Sequence, residues 1–268
     1  MIQTKELDNG NKIFFDERAV INEKNYVFGK THNNILFLDG KVDISKSKIE
    51  FGGNNSVVFL GSNIFRYKMN LKIHNNPAFH VGKDNYINHP MGDAMKILVS
   101  EEMNVFIGNN CFTSFGIWIR TNDGHMICSM DTYERLNPAR GVFIGDHVWI
   151  GQNVTLLKGT QIGSGSIVGA SAVVSGKRIP SNTAWAGIPA RQLKDRVFWT
   201  GHNMSKWTSR EKQKYQKVVT TDFSYEHDES GISFDEIDRQ LSARTTADGK
   251  LEYLLELSKN QSKNRFAV

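Results

Sequence analysis

The chain has 268 residues, of which 39% are hydrophobic and 23% are charged, so it can bury the core of one large domain with an appendage. This composition excludes a disordered or collagen-like chain, and no apolar run suits a membrane span or a signal peptide, so we expect a cytoplasmic protein. The formal net charge of +5 fits an anionic partner or an ordinary surface, and no nucleic-acid-binding motif accompanies it.

Residues 1–34 show no repeat, whereas apolar residues recur loosely from residue 35 and approach a period of six near residue 105. From residue 144 the period of six has no slip, at Ile144, Ile150, Leu156, Ile162, Val168 and Val174. The residue that follows is usually glycine, at Gly145, Gly151, Gly163 and Gly169, so the unit reads V-x-I-G-x-x.

This period of six describes a short strand followed by a bend, because a helix repeats every 3.6 residues and a plain strand every two. The aliphatic residues must then point inward at each repeat, and the small residues allow tight bends. We therefore predict a β-solenoid in which each strand pairs with its copies above and below. Because the end of a solenoid must be covered, we expect residues 1–34 to form an N-terminal cap.

An insertion interrupts the repeat between Ile119 and Ile144, whose separation of 25 positions is not a multiple of six. We predict that residues 120–141 form a loop, and loops on a rigid scaffold often carry function. The loop contains five titratable candidates, Asp123, His125, Asp131, Glu134 and Arg135. His125 is the strongest candidate, since a neutral imidazole can accept a proton near cellular pH.

The composition changes near Asp195, where the repeat has ended. Two capping boxes, Thr208 to Glu211 and Ser233 to Glu236, predict helix starts. Leu251, Leu254 and Leu255 predict an apolar helix face that packs on the coils or on another subunit. We therefore expect residues 195–268 to form a helical C-terminal region, which is also a candidate for shaping a substrate groove.

The hexads resemble those of the hexapeptide-repeat acyltransferases, a resemblance that implies a left-handed parallel β-helix. Within that family, the ordered motifs D-G-H at residues 123–125, E-R-L-N-P at 134–138 and I-G-D-H-V-W-I-G at 144–151 resemble the polysaccharide O-acetyltransferase branch. The fold class expected from the resemblance is all-β, with residues 35–194 as the β-helix and residues 120–141 as its inserted catalytic loop.

The resemblance implies that His125 is the general base for direct transfer of acetyl from acetyl-CoA to a sugar hydroxyl. Asp123 or Glu134 would orient the imidazole, although a solvated loop acid is an equal alternative. Trp149 would form a wall of the active site and contact the acetyl donor. The family's trimers bring such a loop to a neighbour's coil, so we expect a homotrimer with intersubunit active sites.

The end of the repeat resembles the family's cofactor-binding end. Ala170 and Ser175 would offer backbone groups to the pantetheine arm. The phosphates would contact basic residues, with Lys177, Arg178, Arg191 and Lys194 as the candidates. The chain reads V-S-G-K-R-I-P where the family has V-[ST]-K-D-[IV]-P, which leaves the choice between Lys177 and Arg178 open.

The remaining histidines and both cysteines carry no predicted chemistry. His74, His80, His89 and His202 have no evident partner, and we expect His147 to be an outward-facing coil residue. Cys111 and Cys128 have no CxxC or Cys/His ligand spacing, so we expect packing roles and no metal.

The sequence leaves one alternative to an enzyme, a noncatalytic solenoid that binds carbohydrate or organises a complex. A γ-type carbonic anhydrase would need an H-x4-H zinc pair, a nucleotidyltransferase would need a large N-terminal nucleotide domain, and an ice-binding solenoid would need ranks of threonine. None of these features is present.

The resemblance implies O-acetylation of a bacterial surface polysaccharide or its precursor, such as a capsular polysaccharide or lipopolysaccharide. The positive charge suits an acidic acceptor such as a sialic-acid or uronic-acid polymer. The phosphates of CoA explain the same charge, so the composition alone does not choose between them.

Overall fold

Short strands follow one another at nearly regular intervals in this structure, a computed structural model that describes residues 2–87, 93–227, 229 and 231–268. The first part of the chain contains β1 (Ile2–Glu6), β2 (Lys12–Asp16), β3 (Tyr26–Val27), β4 (Ile35–Asp39), β5 (Lys48–Phe51), β6 (Val57–Gly61), β7 (Met69–Ile73) and β8 (Ala78–Val81), with 3-10 turns at Asp8–Gly10 and Glu23–Asn25. The middle contains β9 (Tyr86–Ile87), β10 (Met95–Val99), β11 (Val105–Ile107), β12 (Phe112–Thr113) and β13 (Trp118–Arg120). The hexads form β14 (Val142–Ile144), β15 (Trp149–Ile150), β16 (Thr155–Leu156), β17 (Gln161–Ile162), β18 (Ile167–Val168), β19 (Val173–Val174), β20 (Arg178–Ile179), β21 (Ala184–Gly187) and β22 (Ala190–Lys194).

The strands form the three faces of a prism. From β8 onward each coil visits a nine-stranded sheet, then a six-stranded sheet, then a seven-stranded sheet, so β14, β15 and β16 make one coil and β17, β18 and β19 make the next. Ile144 pairs in parallel with Ile162, eighteen positions or three hexads further on. The predicted β-solenoid is therefore confirmed.

The core of the prism is the predicted column of aliphatic side chains. Each of the six hexad positions is fully buried, as are all six residues two positions before them. Burial of a side chain of this size stabilises the fold by about 1.5–3 kcal/mol, so the repeated column supplies a large share of the driving force.

Parallel pairing begins closer to the N-terminus than we expected. Strand β2 pairs in parallel with β4, and β3 pairs in parallel with β5, so the segment expected to be a cap already contains the first coil. Among the described strands two depart from this pattern: β1 lies antiparallel on β2 and ends the nine-stranded sheet, and β22 lies antiparallel on β21 and ends the six-stranded sheet. The first coils are longer than eighteen residues, which hides their period in the sequence.

The C-terminal region contains α1 (Ser209–Lys214), α2 (Phe234–Ser242) and α3 (Ala247–Lys259). The predicted starts of α1 and α2 are confirmed, because Thr208 and Ser233 are their N-caps. Both α2 and α3 pack on the nine-stranded sheet through an apolar cluster. On α3 this cluster contains Leu251, Leu254 and Leu257, while the predicted Leu255 is partly buried at its edge.

No helix among the described residues combines the length and the hydropathy that a membrane span needs.

A buried ion pair fastens the end of the chain to the hexads. Arg265 donates through Nε to Asp146 Oδ2 at 2.7 Å and through Nη2 to Asp146 Oδ1 at 2.8 Å. Asp146 also accepts a hydrogen bond from the backbone N–H of Asn109. The two side chains are only 4% and 10% exposed, so each carries a charge that its partner must compensate.

We expect Arg265→Ala to lower the free energy of unfolding by about 3–5 kcal/mol, since it leaves the Asp146 carboxylate buried and unpaired. Urea unfolding followed by circular dichroism measures this loss. The matched control is Arg239→Ala, which breaks an exposed ion pair with Glu236 and should cost far less. Equal losses in the two variants would contradict a special role for the buried pair.

Candidate active site

The inserted loop leaves the solenoid at the corner between the seven-stranded and the nine-stranded sheets, after β13 and before β14. It forms a short antiparallel finger. Ser129 N–H donates to the carbonyl of Glu134 at 3.0 Å, and Leu136 N–H donates to the carbonyl of Ile127 at 2.8 Å. The predicted insertion is therefore an ordered hairpin-like projection rather than an irregular loop.

Asn137 holds the base of this finger together. Its Oδ1 accepts from the N–H of Ile127 at 2.8 Å, and its Nδ2 donates to the His125 carbonyl and to Asp123 Oδ2, both at 2.9 Å. The side chain is buried and spans the two strands of the finger. The E-R-L-N-P motif contained this residue, but the sequence did not indicate its role of fixing the backbone of His125.

Two ion pairs tie the loop to the coils on either side. Lys158, one coil further on, donates to Asp123 at 2.6 Å. Arg135 donates to Glu101, one coil before, at 2.8 and 3.0 Å. The hydrogen bond from Lys158, followed by that from Asn137, holds the pKa of Asp123 below its usual range. The loop is therefore braced from both directions along the solenoid.

The His125 side chain is exposed at the base of the finger, and within the described residues its ring has no hydrogen-bond partner. Neither predicted orienting acid forms a hydrogen bond with it. Asp123 binds Lys158 and Asn137, whereas Glu134 accepts from Thr132 Oγ1 at 3.3 Å. Both ring nitrogens of His125 are thus available to other molecules.

The finger also exposes an unusual amount of apolar surface. Five large apolar side chains are more than half exposed, namely Met126, Ile127, Met130, Tyr133 and Leu136. Exposed apolar groups concentrated on one projection are typical of an interaction surface.

Trp149 lies on a different face, in β15 of the six-stranded sheet, and is 40% exposed. Its indole lies 6.1 Å, centroid to centroid, from that of Trp199, and both rings line a cleft of about 590 Å³. Because His125 lies at the opposite corner of the prism section, a single chain does not bring it together with Trp149.

His147 faces outward from the coil, as expected, but it is not exposed to solvent, because the C-terminal region covers it. Its side chain is buried, with the ring stacked 4.0 Å from that of Trp199 and 4.7 Å from that of Phe223. Its Nε2 donates to the carbonyl of Trp199, and the Trp199 indole donates to the carbonyl of His147. The C-terminal region folds back over this corner, a long-range contact that the repeat pattern does not contain. Burial lowers the pKa of His147.

Other histidines also have partners. His80 is buried between the rings of Phe59 and Phe106, and burial lowers its pKa to about 3, so it is neutral and structural. His202 accepts or donates a hydrogen bond at Thr200 Oγ1, while His89 lies outside the described residues. Among the described residues, no group of three or more His, Cys, Asp or Glu side chains is arranged to hold a metal ion.

The residues expected to contact the acetyl donor fall into two groups. Lys177 lies just before β20 and Arg178 is the first residue of β20, at the same corner as the inserted loop, while Arg191 and Lys194 lie in β22, the edge strand of the six-stranded sheet. The donor candidates at the bends, Ala170 and Ser175, are exposed.

Arg178 differs from the other basic candidates because it already has an ion-pair partner. Its guanidinium lies 2.5 Å from Asp235 of α2, whose other oxygen accepts from Gln161. In the part of the chain that the structure describes, Lys177, Arg191 and Lys194 make no such pair. This difference favours Lys177 over Arg178, the choice that the sequence left open.

Comparison with known proteins shows which proteins the chain is similar to. Residues 141–176 match the family described as bacterial transferase hexapeptide (six repeats). The chain is 30% identical over 119 residues to a polysialic acid O-acetyltransferase of Neisseria meningitidis. The matched region covers 44% of this chain and 53% of that protein. It is 36% identical over 116 residues to a polysialic acid O-acetyltransferase of Escherichia coli O1:K1 / APEC, covering 43% of this chain and 38% of that one. The chain thus spans about half or less of the curated relatives it matches.

The fold comparison covers more of the chain. The crystal structure of the polySia specific acetyltransferase NeuO superposes with a TM-score of 0.62 at 26% identity, over 76% of this chain and 91% of that one. These findings confirm the resemblance to the hexapeptide-repeat acyltransferases and their polysaccharide O-acetyltransferase branch, and they identify the fold as a left-handed parallel β-helix.

Proposed function

We propose that this protein is an acetyl-CoA-dependent O-acetyltransferase that modifies a sugar hydroxyl of a bacterial surface polysaccharide or its precursor. The observation that carries the proposal is the exposed His125 ring on a braced loop, with its backbone fixed by Asn137. The names of the two relatives, both polysialic acid O-acetyltransferases, support the reaction and the acceptor class.

In the proposed reaction, acetyl-CoA supplies an activated acyl group as a thioester. The neutral imidazole of His125 removes the proton of the sugar hydroxyl while the hydroxyl oxygen forms a bond to the thioester carbonyl carbon. The carbon–sulfur bond then breaks, and the imidazolium returns the proton to the departing thiolate. The transfer needs no covalent enzyme intermediate, which fits a site whose only proposed catalytic group is a base.

The surface at the end of the solenoid fits the chemistry of the donor. Ala170 and Ser175 are exposed at successive bends, where an amide-containing arm can form strand-like hydrogen bonds with the backbone. Lys177, Arg191 and Lys194 are exposed cations without ion-pair partners among the described residues, as phosphate ligands should be.

The division of the site between two faces supports an assembly. His125 and Lys177 lie along one corner, while Trp149, Arg191 and Lys194 lie on another face. A second copy that places its corner against this face would complete the site, and the apolar finger would be covered in the same contact. Cyclic packing of three prisms satisfies this arrangement for every copy, so we propose a homotrimer with intersubunit active sites.

For the base, we expect His125→Ala to lower the rate of acetyl transfer by about 10²–10⁴ with the fold intact, since general-base catalysis contributes this much. The measurement is thiol release from acetyl-CoA with polysialic acid and with neutral and acidic sugars as acceptors. His32→Ala, at another exposed histidine, is the control. Full activity in His125→Ala, or acceptor binding without any transfer by the native protein, would favour the noncatalytic solenoid.

For the donor, we expect Arg191→Ala to raise the KM for acetyl-CoA several-fold more than the KM for the acceptor. Arg178→Ala should change the KM for acetyl-CoA less, because Asp235 already pairs with this guanidinium. Steady-state kinetics with each substrate varied in turn separate the two effects. Equal changes in both KM values for Arg191→Ala would remove this residue from the phosphate site.

For the assembly, we expect the native protein to sediment as a trimer at micromolar concentration. Replacing Met130 and Tyr133 by aspartate should yield smaller species with unchanged circular dichroism, because charges would then be buried in the contact. Val219→Asp is the control, since Val219 is as exposed as Tyr133 but lies outside the finger. A monomeric native protein would contradict the proposed trimer.

A further inference from the structure

Residues 196–217, here called the basic segment, concentrate positive charge beside the candidate active site. They contain six lysine and arginine residues and a single acid, Glu211. The residues after them, 218–268, contain six basic and ten acidic residues, so the sign of the charge reverses within the C-terminal region. The overall composition hides this asymmetry, because the two parts cancel.

The positive charges of the basic segment are not neutralised within the chain. All six side chains are exposed, and among the described residues none lies within ion-pair distance of a carboxylate; they are Arg196, Lys206, Arg210, Lys212, Lys214 and Lys217. By contrast, the exposed Arg178, Arg239 and Arg135 each have a carboxylate partner. A surface that keeps a dense group of cations unpaired attracts anionic molecules.

The segment is anchored to the solenoid through aromatic rings. Trp199 stacks on His147 of the coil, and Asn182 donates to the carbonyl of Val197 at 2.9 Å. Helix α1 is held to the same segment, because Tyr215 packs against Trp207, with ring centroids 4.9 Å apart. The start of the basic segment is therefore fixed on the coils, and α1 packs on the rest of the segment through Tyr215.

Between this segment and the six-stranded sheet lies the cleft of about 590 Å³. Its coil side is a row of rings, Phe65, Tyr86, Phe112 and Trp149. Phe112 pairs in register with both Tyr86 and Trp149, so the last three rings lie on successive coils, about 4.8 Å apart. The opposite side is formed by residues 199–204 at the start of the basic segment.

The cleft combines aromatic rings and polar side chains, and cations lie in the basic segment. This combination matches the chemistry of a charged sugar polymer. The carbon–hydrogen faces of sugar rings pack against aromatic side chains, and hydroxyls bond polar groups such as those of Thr200 and Asn203. Carboxylates pair with guanidinium and ammonium groups. We propose that the cleft and the basic segment together form the groove that binds an anionic, carboxylate-bearing acceptor polysaccharide, with its sugar rings on the aromatic row and its carboxylates on the unpaired cations; the inference rests on the function proposed above.

The position of Trp149 separates this groove from the donor site. The other three coil rings of the cleft lie on coils before Trp149, whereas the donor candidates from Ala170 to Lys194 lie on coils after it. Acceptor and donor would thus approach Trp149 from opposite directions along the solenoid axis. The unpaired cations of the basic segment are then additional to those expected for the phosphates of CoA.

The test compares two triple variants of the full-length protein that lose the same charge. One is Arg210→Gln, Lys212→Gln and Lys214→Gln in the basic segment. The matched control is Lys24→Gln, Lys30→Gln and Lys46→Gln, at exposed lysines of the first coils that have no ion-pair partner among the described residues. Binding of polysialic acid, polygalacturonate, neutral dextran and CoA is measured by titration calorimetry at low and high salt.

We expect the native protein to bind at least one of the two anionic polymers and to bind dextran much more weakly. The basic-segment variant should bind that polymer about tenfold more weakly at low salt and should show a flatter salt dependence, because fewer charges remain to be screened. Its affinity for CoA and its thermal stability should not change. The control variant should stay within about twofold of the native protein in every assay.

A second variant tests the rings. Phe65→Ala removes a half-exposed ring that contacts Tyr86 edge-on, with centroids 4.6 Å apart. We expect it to weaken binding of the same polymer by several-fold, and by the same factor at low and high salt, since salt does not screen apolar contact. A loss that disappears at high salt would contradict the ring platform.

Three results would overturn the acceptor groove: no binding of either anionic polymer, equal losses in the two triple variants, or loss of CoA affinity with polymer affinity retained. Failure of the acceptor groove and failure of the proposed function give different results. Polymer binding that depends on the basic segment, without acetyl transfer, would refute the enzyme but leave the groove. Transfer to a neutral acceptor that does not depend on the segment would leave the enzyme and refute the groove.

Discussion

Parallel pairing between residues one coil apart is the constraint on which the other features depend. Ile144, Ile162 and Ile179 pair in one ladder, and the coils above and below repeat this arrangement on each face. Because side chains alternate between inside and outside, a slip of one residue would expose the entire aliphatic column. The register therefore also fixes which residues lie at each corner. The inserted loop with His125 and the candidate phosphate ligand Lys177 both lie at one of these corners.

One corner illustrates this effect. Glu101, the inserted loop, Lys158 and Lys177 occupy the same corner on successive coils. Stacking brings Glu101 and Lys158 to the two sides of the loop, where they bind Arg135 and Asp123. The loop is thus positioned by residues far apart in sequence, and the rigidity of the solenoid is transmitted to the backbone of His125.

The sequence predicted what is local and periodic. It predicted the hexads, the insertion and the starts of α1 and α2, because each depends on residues close together in the chain. It did not predict the first coil, whose longer turns obscure the period. It did not predict the burial of His147 and left the pairing of Arg178 undetermined, since both depend on the C-terminal region folding back onto the coils. Contacts of this kind have no signature in a short window of sequence.

The C-terminal region therefore does more than cover the solenoid. The pair of Arg265 with Asp146 fastens its end to the hexads, while the stacking of Trp199 on His147 fastens its beginning. Between these two anchors the basic segment is held beside Trp149, although its own helix α1 is only six residues long and buries no residue of its own. An isolated helix of that length would not be stable in water, so its order depends on the anchors. Asp146 and His147 of the I-G-D-H motif therefore anchor both ends of the C-terminal region, and this anchoring places the unpaired cations beside the six-stranded sheet.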